Sequence, residues 1–81
     1  MDKWEYQAIL VNKWGKAIRV EPREGSEAWQ FDDEKSSDLV ILLRELGLEG
    51  WDLMAIDTNV SYAQGVHSYV GSLYIFQRPV K

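Results

Sequence analysis

Leu42-Leu43-Arg44-Glu45-Leu46-Gly47-Leu48-Glu49-Gly50-Trp51-Asp52-Leu53 is the stretch on which the fold turns. Leu39, Leu42, Leu43 and Leu46 recur at the i, i+3, i+4, i+7 spacing that gives a helix one buried stripe. Ser36-Ser37 followed by Asp38 reads as the start, a hydroxyl cap and then an acid near the positive end of the dipole. Gly47 is expected to end the helix in the left-handed conformation, so the helix runs over about 38–46. A helix this short cannot persist alone and must be held by tertiary packing. Gly50 then permits a tight bend, and the alternation from Trp51 to Asp57 reads as a strand.

Working outward, Trp4 to Val11 reads as a strand. Trp4, Tyr6, Ala8 and Leu10 share one face and Glu5, Gln7, Ile9 and Val11 the other. Asn12 to Lys16 is a turn, and Ala17 to Glu21 a short return strand ended by Pro22. Beyond the helix, Thr58 to Val66 reads as a loop and His67 to Arg78 as a long last strand. The expected fold class is α+β: a small, mainly antiparallel sheet of three to four strands in the order β-β-α-β-β, with one short helix packed on one face. A right-handed crossover makes the first and third strands co-directed. The last strand then fits between them, giving the neighbour order 2-1-4-3.

The 81 residues suit one domain, 1–81, and contain no cysteine, which excludes a disulfide framework and a thiolate metal site. Nine Lys+Arg against thirteen Asp+Glu leave a net charge of −4, which argues against binding a phosphate backbone non-specifically. The surplus is concentrated in one place. Glu21, Glu24, Glu27, Asp32, Asp33, Glu34 and Asp38 face only Arg23 and Lys35, so 21–37 reads as an acidic loop or insert. Trp29 and Phe31, two residues apart, are expected to pin that loop onto the core. No apolar run approaches a membrane span and the start lacks a secretory pattern, so the expectation is a cytoplasmic acidic protein.

Three blocks carry a resemblance: Lys3-Trp4-Glu5-Tyr6, the central stretch quoted above, and Tyr74-Ile75-Phe76-Gln77-Arg78-Pro79. In that order they resemble the small bacterial domain-of-unknown-function family number 4177. Its pattern starts W-E-Y, runs through a leucine-rich helix into L-G-x-E-G-W-E-L, and ends in an apolar strand before K/R-R-P. Departures are Asp52 for the family's usual Glu, Gln77 for a usual basic residue, and a longer acidic insert. The resemblance implies a compact α+β fold and a bacterial or phage source, and it supplies no activity. Physics explains the pattern by packing and backbone needs at Trp4, Tyr6, Gly47, Gly50, Trp51 and Arg78. Trp4 and Trp51 are expected to pack near each other, and Arg78 to pair with Glu5 or Asp52.

Chemistry is sparse. No catalytic residue, cofactor or metal site is expected. His67 is the lone histidine, no second histidine or cysteine could complete a first-row metal site with it, and Ser61 or Ser68 beside it in a strand gives no triad geometry. There is no phosphate-binding glycine loop and no H-E-x-x-H pattern. The topology does bring the 12–16 turn and the 58–66 loop to one end of the sheet. Lys13, Trp14, Lys16, Asn59, Tyr62 and His67 are therefore a candidate site for a small anionic aromatic ligand such as a nucleotide. One helix covers only one sheet face while both faces carry apolar residues. The leading expectation is therefore a non-enzymatic interaction module that self-associates through its sheet as a homo-oligomer, most simply a dimer. A sheet-face RNA binder is a further alternative, disfavoured by the net charge.

Overall fold

The computed structural model describes residues 3–22 and 29–80. Its strands are β1 (Trp4–Val11), β2 (Lys16–Val20), β3 (Trp29–Gln30), β4 (Ser37–Asp38), β5 (Asp52–Gln64) and β6 (His67–Pro79), with one helix, α1 (Leu39–Leu48). They form a six-stranded mixed sheet in the order β3-β5-β6-β1-β2-β4. This corrects the expected three-to-four-stranded β-β-α-β-β sheet. The acidic 21–37 segment is not one irregular loop, because it contributes β3, a 3-10 turn (Asp33–Lys35) and part of β4. β3 pairs parallel to β5, Trp29 opposite Tyr62, which makes the sheet mixed. Arg23, Glu24 and Glu27 of that segment lie outside the described residues.

The second correction concerns Thr58 to Val66, which continues β5 as far as Gln64. Gly65, at φ 64°, and Val66 alone connect β5 to β6, with Gln64 opposite His67. A positive φ at the first of two turn residues matches the twist of a tight hairpin. Two register irregularities, at Leu53/Ala55 and at Asp57/Val60, break the alternation along β5 and gave it the look of a loop.

The third correction is the end of the helix. Gly47 is helical and Leu48 is the last helical residue; the left-handed position belongs to Gly50, at φ 86°. The Trp51 N–H donates to the Leu46 carbonyl at 3.0 Å, and the Gly50 N–H to that of Gly47 at 3.1 Å. This paired closure brings Trp51 back onto Leu46, and both lie in one core cluster. At the other end Asp38 is the cap residue but makes no side-chain cap hydrogen bond. Its carboxylate is drawn away to the Lys16 ammonium at 2.6 Å. Neither serine caps the helix: Ser36 donates its hydroxyl to the Asp33 carbonyl, and Ser37 is in β4.

Two cores flank the sheet. On the helix face Ile9, Val11, Ala17, Leu42, Leu46, Trp51 and Phe76 are buried together. On the other face Leu10, Ile18, Phe31, Val60 and Tyr62 form a second cluster, with Trp29 packed at its margin. The aromatics of the acidic segment thus pin it to the sheet, as their spacing implies. Trp4 and Trp51 do not pack together: Trp4 shares the face of Leu10 and is about half exposed, while Trp51 is buried on the helix face.

Candidate functional site

The turn end of the sheet is organised by Asn12, which is buried. Its Oδ1 accepts from the Trp14 and Lys16 N–H groups at 2.9 and 3.0 Å, and its Nδ2 donates to Gln64 Oε1 at 3.3 Å. One side chain therefore shapes the β1–β2 turn and ties it to the end of β5. The Lys13 N–H donates to the Tyr62 hydroxyl at 3.1 Å, a second tie between the same elements. On that frame the rings run in sequence. Phe31 lies 5.8 Å from Tyr62, Tyr62 lies 5.7 Å from Tyr69, and Trp14 meets Tyr69 edge-on at 5.2 Å. The Lys13 ammonium sits 5.1 Å from the Trp14 ring centre and 5.3 Å from that of Tyr69.

Of the six expected ligand-binding residues, the fold brings Lys13, Trp14, Tyr62 and His67 to this end. Tyr62 is fully buried, so its ring is part of the wall and offers no stacking surface. His67 is exposed and lies 6.1 Å from the Tyr69 ring. Lys16 is engaged with Asp38, whose hydrogen bond and charge raise its pKa above the ordinary lysine value. Asn59 is not at the cluster. It lies at the second irregularity of β5, its N–H donating to Asp57 Oδ1. Tyr69 is the residue that sequence reasoning missed. A two-residue turn at 65–66 would have placed it opposite Tyr62, whereas a nine-residue loop hides that register.

The acidic segment lines the same end. Gln30, Phe31, Asp32, Asp33, Glu34, Gln64 and Gly65 bound an open cavity of about 510 Å³. Among the described residues no group of three or more His, Asp or Glu is placed to hold a metal ion, and no helix is long and apolar enough to cross a membrane.

At the opposite end the three sequence blocks converge. Glu5, Glu49, Gly50, Arg78 and Pro79 line a notch of about 400 Å³. Arg78 joins Glu5 in an ion pair, donates to the Glu49 carbonyl, and stacks 4.1 Å from the centre of the Trp51 ring. Of the two acids expected as its partner, it takes Glu5. Glu49 turns the other way, toward Arg19 on β2. The Arg19 guanidinium, hydrogen-bonded to Glu49, holds its carboxyl below the ordinary carboxylate value. A carboxyl whose pKa is lowered on folding adds stability above its unfolded pKa and loses it as pH falls through the folded value. Wild type should thus lose urea resistance below the ordinary value of 4.5, and Glu49→Gln should narrow its own deficit there. A gap that stays constant in unfolding midpoints from about pH 6 to about pH 3 would contradict the assignment.

No protein-family model, no curated protein and no solved structure matches the chain. What the chain does is then read from its own surface.

Proposed function

We propose that this chain is a non-enzymatic interaction module of the cytoplasm that works as a homodimer through the open half of its sheet. The observation that carries the reading is the first part of β5. All eight residues from Asp52 to Asn59 are exposed, Leu53, Met54 and Ile56 among them. β3 pairs only with Tyr62 and Ala63, so the outer edge of β5 before them has no described partner.

Register says which face is meant. Leu53 lies opposite Phe76 and Ile56 opposite Tyr74, both on the helix face, whereas Asp52 and Asp57 lie opposite Gln77 and Leu73 on the other. The apolar stripe is on the helix face and the carboxylates wet the reverse. Arg19 of β2 reaches Glu45 and Glu49, which turns that flank of α1 toward β2. At roughly 100° per residue the flank with Val40 and Leu43 then faces β6 and β5. Val40, Leu53, Ile56 and Val70 are each near half exposed or more. They border a shallow apolar trough between helix and sheet edge.

A second copy is the occupant of choice on area. The chain exposes 5790 Å². Size scaling gives a compact monomer of 9.4 kDa about 5000 Å². The chain is thus more open than an average compact monomer of its mass, and a standard interface takes about 800 Å² from each partner. Two-fold packing would set each trough against the other and hide both edges.

Sedimentation should give a dimer at about 50 µM that dissociates on dilution. Leu53→Asp and Ile56→Asp should sediment as folded monomers at that concentration, with unchanged far-ultraviolet circular dichroism. A wild-type chain that is strictly monomeric overturns the reading, as does a dimer indifferent to both substitutions.

A further inference from the structure

We infer that the cleft between Trp14 and Tyr69 is a binding site for an organic ammonium cation, held in the free protein by the chain's own Lys13. The inference stands apart from dimerisation, because it uses the turn end and the face opposite the trough. Lys13 joins no ion pair among the described residues. Its ammonium instead lies over two rings at nearly equal distance. Ring faces carry negative charge density and attract a cation at this range, and the attraction grows for weakly hydrated quaternary ammonium groups. Lys13 thus marks the place and sign of the charge the cleft accepts.

The surroundings select for the same sign. The cluster was expected to clasp an anion, but its neighbours are acidic. The wall containing Asp32, Asp33 and Glu34 also includes Gln64 and Gly65, at the turn that leads into His67 and the strand carrying Tyr69. Lys16, the other nearby cation, is neutralised by Asp38. Tyr62 and Asn12 fix the two walls relative to one another, and Trp14 keeps more than half of its surface open to solvent. The two nearly perpendicular rings thus form a fixed corner over which a positive group already lies, with the acidic segment at the same end of the sheet.

Two sources supply such a cation: a free quaternary ammonium compound, or a methylated lysine on a partner polypeptide. Trp14 fluorescence, isolated as the difference between wild type and Trp14→Phe, is titrated with tetramethylammonium chloride against sodium chloride at equal ionic strength. A short peptide with a central trimethyl-lysine forms the second arm. Saturable change with tetramethylammonium and not with sodium is expected, and Lys13→Ala should tighten it about threefold or more by vacating the site. Tyr69→Ala should abolish it, while Tyr69→Phe, which keeps the ring, should retain it. Stronger binding of the peptide assigns the source to a partner chain, and equal binding assigns it to a free cation. Identical responses to both salts, or a Lys13→Ala chain that binds no better than wild type, overturn the inference.

Discussion

Gly71→Ala should be among the most damaging single-methyl additions this chain can receive, costing about 3 kcal/mol or more of stability. A Cβ at Gly71 would collide with the Val11 carbonyl oxygen and lie 2.8 Å from Cε1 of Tyr62. The carbonyl belongs to β1, which is locked between β6 and β2, so it cannot withdraw without opening a ladder. The ring is fully buried and has no free direction either. A chain of this length is stable by only about 4–12 kcal/mol. Each kcal/mol lost lowers its melting midpoint by roughly 4–8 °C. Gly47→Ala is the matched control. Gly47 is helical, exposed, and has nothing within 4 Å of its added carbon. There the same methyl should stabilise, by about 0.5–1 kcal/mol, because alanine loses less backbone entropy in a helix. Thermal melts of the two variants should move in opposite directions. Gly71→Ala within a degree or two of wild type would mean that β1 and β6 are not held at this spacing.

Gly47 and its neighbour Gly50 also show what a sequence can and cannot reveal here. Leucine periodicity located α1, because a buried stripe depends only on local spacing. The sequence reading ends it two residues early, at 46 and not at Leu48, since Gly47 and Gly50 are equally competent terminators. The choice falls to Gly50 because Trp51 must return onto Leu46, a tertiary need. The faces of β1 were legible from strict alternation. Those of β5 were not, because two irregularities shift the period within one strand. β3 and β4 are two residues long and exist only by pairing with partners distant in sequence. No local signal marks them, so the sheet looked smaller than it is. At the turn end, Lys13 and Trp14 were legible as loop residues beside an aromatic. The acids of 32–34 were legible as charge but not as neighbours of that cluster, because the segment's path across the sheet end was unknown. Composition thus found the groups, and topology set which of them are neighbours.

Tyr62→Ala should cost about 3–5 kcal/mol, the usual loss for a buried aromatic. Tyr62→Phe should cost only about 1 kcal/mol, the net worth of one hydrogen bond. The contrast follows from what Tyr62 does. Its ring fills the space that Gly71 leaves and touches Phe31 and Tyr69, so deletion opens a cavity that backbone on both sides prevents from collapsing. Among the described residues its hydroxyl accepts from the Lys13 N–H, which lies in an exposed turn where water can satisfy that donor instead. Urea unfolding of both variants separates the two contributions. A double-mutant cycle of Tyr62→Ala with Phe31→Ala should show coupling of about 0.5–1.5 kcal/mol, because these rings join the acidic segment to the sheet. Zero coupling would mean that Phe31 is held by something other than Tyr62. A Tyr62→Ala loss below about 1 kcal/mol would deny the second core altogether. Tyr62→Phe carries a further consequence for the cation cleft. It frees the Lys13 backbone while leaving the Trp14 and Tyr69 rings in place, so it should loosen the resident ammonium without removing the walls. A tetramethylammonium titration of Tyr62→Phe should therefore fall between wild type and Lys13→Ala. That ordering ties the stability of the second core to occupancy of the cleft above it.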